Sequence, residues 1–308
     1  MRTTLSFILS AFVFVTVNAY AEQVASVSSV IVPLHQTSKI AALTDEKKSE
    51  TCFELLDHVK GPKFKNENLK RVCAQVQWLP SCVSVKGTPI VHFEKTGHDK
   101  RKKRILVFSL IHGDETGAGS LVRYWLERLD EIDPRNDWRI VPVLNPDGFE
   151  AKTRTNANNV DLNRNFPTRD WNDLANIYWK KHSSSSPRRF PGTVAGGEPE
   201  VKCAISQIDD FKPDFIVSIH TPLAVLDFDG PKVKPPSFAY LPWRSLGNYP
   251  GSLGRFMWVE RSTPVLTAEL RSTLPTNFET FDRLQDILGE LAKYKLNHMK
   301  EAASFLNR

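Results

Sequence analysis

The sequence predicts an α/β fold with a mostly parallel or mixed sheet. Three short apolar runs, 105–110, 138–144 and 215–219, have the length and composition of buried strands. Segments with apolar residues at helical spacing, such as 121–129 and 198–211, lie between them. Strands that alternate with helices are typical of this class. The 308 residues, of which 41% are hydrophobic, are enough for one large domain with a small appendage.

The first 21 residues are typical of a secretory signal peptide. Arg2 precedes an apolar stretch from Leu5 to Val17, and the Ala-Tyr-Ala of residues 19–21 is a cleavage site. This stretch is too short for a spanning helix, and no later stretch is long enough to cross a bilayer. We therefore expect cleavage after Ala21, a mature protein without a membrane span, and a periplasmic or secreted location.

Residues 22–82 are expected to form a small cysteine-bearing region ahead of a catalytic domain at 83–308. Apolar residues at helical spacing in 45–60 and 69–76, separated by Gly61-Pro62, predict a helical hairpin. The chain has four cysteines, Cys52, Cys73, Cys82 and Cys203. An even count in an exported protein permits two disulfides in three connectivities. We favour bridges within this region, such as Cys52–Cys73, and from it to the main domain.

The catalytic domain begins with two predicted strands, 83–85 and 90–93, around a turn at 86–88. The strand 105–110, its helix and the strand 138–144 follow, and then a long loop at 152–191. The remaining predicted elements are a helix at 198–211, strands at 215–219 and 265–270, and a long helix from about 278 to 306. The basic run 100–104 is interpreted as a solvated loop. A net charge of +6 does not indicate a nucleic-acid-binding protein.

Potential metal ligands follow two of the predicted strands. His112 and Glu115 stand on a turn after the strand 105–110, and His220 ends the strand 215–219. Open α/β sheets bind their ligands at the carboxyl ends of strands. Two histidines and one glutamate can hold a zinc ion and leave a fourth position open, which is the arrangement of catalytic sites. Taken alone, the His112 and Glu115 pair would more commonly be part of a solvated turn, and His220 would more commonly be a core histidine.

The loop 154–167 and a second glutamate add further polar groups. Asn163 and Arg164 offer a fork that can hold a carboxylate, and Arg154 can stabilise a developing oxyanion. Asp161 can accept the second N–H of a ligating histidine. Glu269 closes the apolar strand 265–270, where a carboxylate needs a partner or a catalytic role such as general base. The alternative interpretation of residues 154–167 is an Asn-rich surface loop without a functional role.

Taken in order, His112-x-x-Glu115, the segment 154–167, His220 and Glu269 resemble the zinc carboxypeptidase family. Within that family the chain is most similar to the murein tripeptide amidases, which cleave between γ-D-glutamate and diaminopimelate. The further matching motifs are Gly197-Glu198-Pro199-Glu200, His220-x-Pro222-Leu223-Ala224, Pro250-Gly251-Ser252 and Thr267-Ala268-Glu269. The resemblance covers about residues 84–290.

The resemblance implies a mixed eight-stranded sheet between helices and one Zn²⁺ held by His112, Glu115 and His220. Asp161 would orient His112, Asn163 and Arg164 would grip the free carboxylate, Arg154 would polarise the scissile carbonyl, and Glu269 would be base and acid. It also implies a cis peptide bond after His220, at Thr221-Pro222, where cis costs less than elsewhere. The family's substrate-covering tyrosine stays unassigned. Tyr249 is near in sequence, but Met257 and Trp258 stand where the tyrosine was expected.

The function that the sequence predicts is zinc-dependent hydrolysis of peptidoglycan peptides, with diaminopimelate as the leading released residue. The charged side chain of that residue needs acidic and basic partners, for which Asp227, Asp229 and the arginines 188, 189 and 255 are candidates. Three alternatives stay open: a carboxypeptidase for ordinary peptides, a deacylase of N-acyl amino acids, and a wall-binding protein with an inactive site.

Overall fold

The computed structural model describes residues 43–61, 65–232, 235–271, 282–284 and 291. All of them lie in one compact unit that extends over residues 42–308. The predicted signal peptide and the segment up to residue 42 lie outside the described residues. So does the predicted helix 278–306, apart from 282–284 and 291, which are helical.

The described strands form one mixed sheet. They are β1 (Gln77–Val83), β2 (Pro89–Lys95), β3 (Arg104–Ser109), β4 (Asp137–Val141), β5 (Phe215–His220), β6 (Leu223–Asp229) and β7 (Val265–Arg271). Their order across the sheet is β1-β2-β4-β3-β5-β7-β6. The four central strands β4, β3, β5 and β7 are parallel, and β1, β2 and β6 pair antiparallel. The α/β class and the mixed sheet are confirmed, with seven strands among the described residues.

Helices cover both faces of this sheet. They are α1 (Asp45–Asp57), α2 (Asn66–Cys73), α3 (Thr116–Glu131), α4 (Pro146–Ala151), α5 (Trp171–Ser183), α6 (Pro199–Phe211) and the single turn α7 (Leu253–Arg255), which continues into a π-helical turn at Phe256–Glu260. Short 3-10 turns occur at Leu162–Arg164 and Pro187–Arg189. None of the helices within the described residues combines the length and apolarity that a bilayer crossing requires.

The alternation of side chains along β3 divides the core into two layers. Ile105 and Val107 point into a cluster that contains the buried faces of α1, α2 and α3. Leu106 and Phe108 point to the opposite face, where they meet α6 and the 253–257 segment. All four side chains are completely buried. Helices on both faces explain why residues 105–108 of β3 are all apolar rather than alternating with polar residues.

Two disulfides fix the N-terminal elements. Cys52–Cys73 joins α1 to α2, and Cys82–Cys203 joins β1 to α6. The hairpin of α1 and α2 packs on α3, so the first bridge lies within the cysteine-bearing region and the second ties that region to the sheet. This confirms the favoured pattern of bridges. The expected domain boundary at residue 82 falls inside β1.

Three predicted segments differ from the structure. The first strand spans residues 77–83 rather than 83–85, and Ser84, directly after it, donates its hydroxyl to Asp147 (2.7 Å). The expected loop 152–191 contains α5, whose only buried side chains are Trp171 and Ala175. The strand β6 at 223–229 was not expected, since its polar residues hide the apolar alternation.

Candidate active site

The site is built where β3 ends and α3 begins. A tight turn connects them, and Gly113 packs so closely on Gly148 that a Cβ atom at residue 113 would lie 2.0 Å from a Gly148 backbone carbon. Backbone N–H groups of Leu144 and Asn145 donate to the carbonyls of Ser109 and Leu110 on the other side of the turn (3.1 and 3.0 Å). These contacts leave little freedom to the segment that carries His112 and Glu115.

Three predicted ligands converge on one point. His112 Nδ1 lies 2.8 Å from Glu115 Oε1, and His220 Nδ1 lies 2.9 Å from Glu115 Oε2. The two Nδ1 atoms are 3.2 Å apart, and all three side chains are buried. Within the described part of the chain no other set of three or more His, Cys, Asp or Glu residues has its potential ligand atoms this close together.

The donor set fits a zinc ion. His112 Nε2 contacts Asp161 Oδ1 (3.1 Å) and His220 Nε2 contacts Ser218 Oγ (2.8 Å), so the outer ring nitrogens are engaged. These contacts leave both Nδ1 atoms facing each other and the carboxylate, as a metal-binding tautomer requires. Two neutral imidazoles and one carboxylate are ligands that Zn²⁺ accepts.

Asp161 is the anchor of the loop that carries the other predicted residues. It is completely buried and accepts from Arg154 Nε (2.9 Å) and from the backbone N–H of Asn163 (3.1 Å), besides its contact with His112. Burial alone would raise the pKa of Asp161, but the charge of Arg154 and the hydrogen bond with His112 outweigh it and hold that pKa well below its usual range. The carboxylate therefore stays ionised and keeps Arg154 beside the cluster, 3.4 Å from Glu115.

Glu269 lies beside His220 because the two residues are register partners in the parallel strands β5 and β7. Glu269 Oε2 accepts from the backbone N–H of Leu223 (3.3 Å), and the side chain is only 9% exposed. The peptide bond between Thr221 and Pro222 is cis, as expected. The structure thus brings the predicted base and the predicted ligands to one end of the sheet.

Asn163 and Arg164 form the opposite wall together with an aromatic ring. Asn163 Oδ1 accepts from the backbone N–H of Leu253 (2.8 Å), and Arg164 Nη1 donates to the Asn163 carbonyl (2.7 Å). The Arg164 guanidinium stacks on the ring of Tyr249 at 4.4 Å from its centroid. Tyr249, left unassigned from the sequence, therefore lies in the site, whereas Met257 is buried in the core. In the sequence, the position of Tyr249 directly before the matching motif Pro250-Gly251-Ser252 was the signal that could have placed it in the site.

The three predicted ligands, Glu269, Arg154, Asn163, Arg164 and Tyr249 line a single cleft of about 540 Å³, and Asp161 is buried behind it. The cleft also contains Asp227, Asp229 and the arginines 188 and 189, whereas Arg255 turns away to pair with Asp170. Arg188 forms an ion pair with Asp114 (2.8 Å). Burial, and then the neighbouring Asp227, raise the pKa of Asp229 to about 7. The cleft thus has arginines on one wall and aspartates on another.

Comparison with known families agrees with this geometry. A family model described as zinc carboxypeptidase matches residues 76–229, half of the 308-residue chain. The chain is 36% identical over 148 residues to murein peptide amidase A of Vibrio campbellii, which covers 47% of this chain and 57% of that protein. It is 32% identical over 148 residues to the Escherichia coli K12 protein of the same name, and this match covers 47% of this chain and 59% of that protein. The chain therefore spans less than three fifths of the length of these relatives.

Solved structures share the fold. Murein-tripeptide amidase MpaA from Escherichia coli O157 superposes with a TM-score of 0.52 at 24% identity, over 70% of this chain and 91% of that one. Bovine thrombin-activatable fibrinolysis inhibitor, in its complex with tick carboxypeptidase inhibitor, gives a TM-score of 0.59 at 17% identity, over 82% and 97%. At these identities the likeness concerns the arrangement of the sheet and its helices.

Proposed function

The chain belongs to the zinc carboxypeptidase family, and from this premise we propose that it is a zinc-dependent hydrolase that removes a C-terminal residue from murein peptides. The observation that carries the proposal is the meeting of His112, Glu115 and His220 with Glu269 in one cleft. A buried ligand set beside an additional carboxylate is the arrangement that metal-assisted hydrolysis needs.

In this proposal His112, Glu115 and His220 hold one Zn²⁺, and Asp161 keeps His112 in the ligating orientation. When bound, the ion supplies Lewis acidity at the scissile carbonyl. Glu269 takes a proton from the attacking water and delivers it to the nitrogen of the leaving residue. It stands next to His220 in the sheet, so its carboxylate is on the side of the cleft where the ligands converge.

Arg154 supports the same step with charge. Its guanidinium is fixed by Asp161 and lies at the edge of the ligand cluster, inside the cleft. A fixed cation there stabilises the negative charge that develops on the carbonyl oxygen during attack. Because Asp161 holds the guanidinium beforehand, little rearrangement is needed when the substrate binds.

Asn163, Arg164 and Tyr249 are proposed to hold the free carboxylate of the residue that is released. Arg164 offers a planar fork of donors, and the ring of Tyr249 covers it. A site that demands a free carboxylate next to the scissile bond acts on chain ends, which makes the enzyme a carboxypeptidase-type hydrolase.

The substrate class is supported by the relatives that bear the name murein peptide amidase A. We propose peptidoglycan peptides as substrates and diaminopimelate, attached to γ-D-glutamate, as the released residue. The two disulfides and the predicted signal peptide favour the periplasm or the extracellular space, where such substrates occur and disulfides persist. Residues 22–82 and 83–308 are proposed as an N-terminal region and a catalytic domain.

Metal analysis combined with mass spectrometry of digested muropeptides tests this proposal. Wild-type protein should contain one zinc ion per chain and release diaminopimelate. Glu269→Gln should retain the zinc and lose activity by roughly a hundredfold or more, since a proton-transfer group contributes on that scale. Glu150→Gln, an exposed residue of α4, is the matched control. Unchanged turnover by Glu269→Gln would remove the catalytic assignment, and release of ordinary C-terminal residues alone would redirect it to general peptides.

A further inference from the structure

We propose that Glu200 is a positioning residue, which holds Arg154 and Asp161 at the ligand cluster through the side chain of Asn156. This inference rests on the proposed function. It assigns a role to the matching motif Gly197-Glu198-Pro199-Glu200, which contributes no side chain to the lining of the cleft. A chain of hydrogen bonds that runs from the first turn of α6 to the loop of Arg154 carries the inference.

Asn156 closes the turn between Arg154 and Asp161. The side-chain oxygen of Asn156 accepts from the backbone N–H groups of Asn158 (3.1 Å) and Val160 (3.0 Å). Its backbone N–H donates to the carbonyl of Val160 (3.1 Å). The chain therefore reverses its direction between Arg154 and Asp161, whose side chains meet at 2.9 Å. Because Asn156 is only 2% exposed, water cannot readily replace a bond that it loses.

The amide group of Asn156 has one orientation that satisfies its surroundings. Its nitrogen donates to Glu200 Oε2 (2.9 Å) and to Glu198 Oε2 (2.7 Å), which uses both of its hydrogens. A flipped amide would direct its oxygen at two carboxylates and its nitrogen at two backbone N–H groups. The carboxylates at the start of α6 therefore set the direction in which Asn156 presents its oxygen to the loop.

Of these two carboxylates, that of Glu200 is the more firmly held. Glu200 is completely buried, whereas Glu198 is half-buried and also accepts from the exposed side chain of Asn158 (2.9 Å). Glu200 Oε1 accepts from the backbone N–H of Val85 (3.0 Å), so the carboxylate is bonded on both sides. The disulfide between β1 and α6 fixes the helix that carries it. Glu200 thus connects the loop to a rigid part of the fold.

The two bonds of Glu200 require a carboxylate rather than an amide. Each of its oxygens faces a donor, and a glutamine would turn its amide nitrogen toward either Val85 or Asn156, donor against donor. Burial raises the pKa of Glu200, while its hydrogen bonds with Asn156 and Val85 act in the opposite direction. The bonds that offset the cost of burying this charge are therefore the ones that orient Asn156.

The residues that are proposed to hold the free carboxylate of the substrate have other anchors. Asn163 accepts from the backbone N–H of Leu253, and Arg164 stacks on Tyr249. Loss of the Glu200 carboxylate should therefore displace the guanidinium that stabilises the developing oxyanion more than it disturbs substrate binding. Such a change lowers kcat more than it raises KM.

The experiment exchanges the two interacting groups. Glu200→Gln places one donor against another, and Asn156→Asp places a carboxylate against two others. Each single variant should lower kcat on a murein peptide roughly tenfold to hundredfold, with KM changed less, because a buried hydrogen bond to a charged group contributes on that scale. In the double variant, the new amide at residue 200 donates to the new carboxylate at residue 156. Its kcat should therefore exceed that of either single variant by roughly tenfold or more.

Zinc affinity is the second readout, because Asp161 contacts the predicted ligand His112. In competition with a chelating indicator, it should fall by up to roughly tenfold in each single variant and recover in the double variant. Glu127→Gln is the matched control: Glu127 is a buried carboxylate of α3 that accepts from Arg123 (3.1 Å) and does not line the cleft. This control should keep both kcat and zinc affinity even where urea unfolding shows a lower stability.

The outcomes separate this role from the function on which it rests. Unchanged kcat and zinc affinity in both single variants, or recovery of neither quantity in the double variant, overturns the positioning role. A loss of kcat in Glu127→Gln equal to that in Glu200→Gln also overturns it, because the effect would then be general destabilisation. A wild-type protein that cleaves no murein peptide overturns the proposed function, while the zinc affinities still decide the role of Glu200.

A folding defect in a single variant does not hide the answer. The double variant is then compared directly with the wild type, because the exchange keeps the net charge and the bond between residues 156 and 200. A kcat within roughly tenfold of the wild-type value supports the role. A larger loss, or a double variant that does not fold, overturns it.

Discussion

Replacing Asp229 with asparagine should stabilise the free protein at neutral and alkaline pH. In the folded protein, burial and the neighbouring Asp227 raise the pKa of Asp229 to about 7, against an ordinary value of 3.8. One pKa unit corresponds to about 1.4 kcal/mol, so the ionised wild-type carboxylate lowers the free energy of unfolding by on the order of 4 kcal/mol above pH 7. Asparagine has no charge and avoids this cost.

The sign of the effect follows from which state holds the proton. Below about pH 4 the carboxyl is protonated in both states, and it contributes no difference. Between pH 4 and pH 7 the unfolded chain releases the proton first, so the wild-type stability falls as the pH rises. Above pH 7 both states are ionised and the penalty is constant. The difference in the free energy of unfolding between Asp229→Asn and the wild type should therefore grow by roughly 2–3 kcal/mol between pH 5 and pH 8, in favour of the variant.

Urea unfolding followed by tryptophan fluorescence at pH 5 and pH 8 measures this difference. The disulfides must be intact and the zinc content identical in all samples, because a bound ion also shifts stability. Asp173→Asn, at an exposed site, should show little change at either pH. If Asp229→Asn stabilises the protein equally at pH 5 and pH 8, or destabilises it at pH 8, then the ionised Asp229 carboxylate does not lower the stability of the wild type as described.

Three further changes test other parts of the molecule. Asp161→Asn removes the charge that is proposed to orient the zinc ligand His112, so zinc affinity should fall roughly tenfold to hundredfold in competition with a chelating indicator; undiminished affinity would contradict the proposed role. Replacing Cys82 and Cys203 together by alanine should lower the free energy of unfolding in urea by roughly 4–5 kcal/mol, since the bridge spans 121 residues. A loss below 1 kcal/mol would show that the bridge constrains little. Arg164→Lys should raise KM about tenfold or more in steady-state assays, with a smaller effect on kcat, because lysine lacks the planar fork; a change in kcat alone would count against carboxylate binding.

The ligand cluster could be predicted because it depends on strand ends. The apolar runs before His112 and His220 identify β3 and β5 as buried strands, and parallel neighbours bring their carboxyl ends together. Glu269 lies near the carboxyl end of the next parallel strand, in register with His220. Tyr249 could not be placed by this reasoning, because it lies on a segment between β6 and β7 whose path depends on tertiary contacts such as those with Arg164.

The missed elements have weak local signals for identifiable reasons. The helix α5 buries only Trp171 and Ala175, so its apolar stripe is too narrow to stand out. In β6 the inward positions of a normal strand are taken by Asp227 and Asp229, which face the cleft instead of a core. β1 contains Pro80, a residue type that weakens the local signal for a strand because it lacks the backbone N–H.

The disulfide between Cys82 and Cys203 ties an edge strand of the described sheet to a helix that covers the sheet. β1 is the outermost strand on its side of the described sheet, and an outermost strand that peels away exposes β2 as a template for another chain. The covalent link to α6 prevents such peeling even when the hydrogen bonds of the hairpin open transiently. The strand at this edge of the described sheet is therefore held by a covalent bond as well as by its hydrogen bonds.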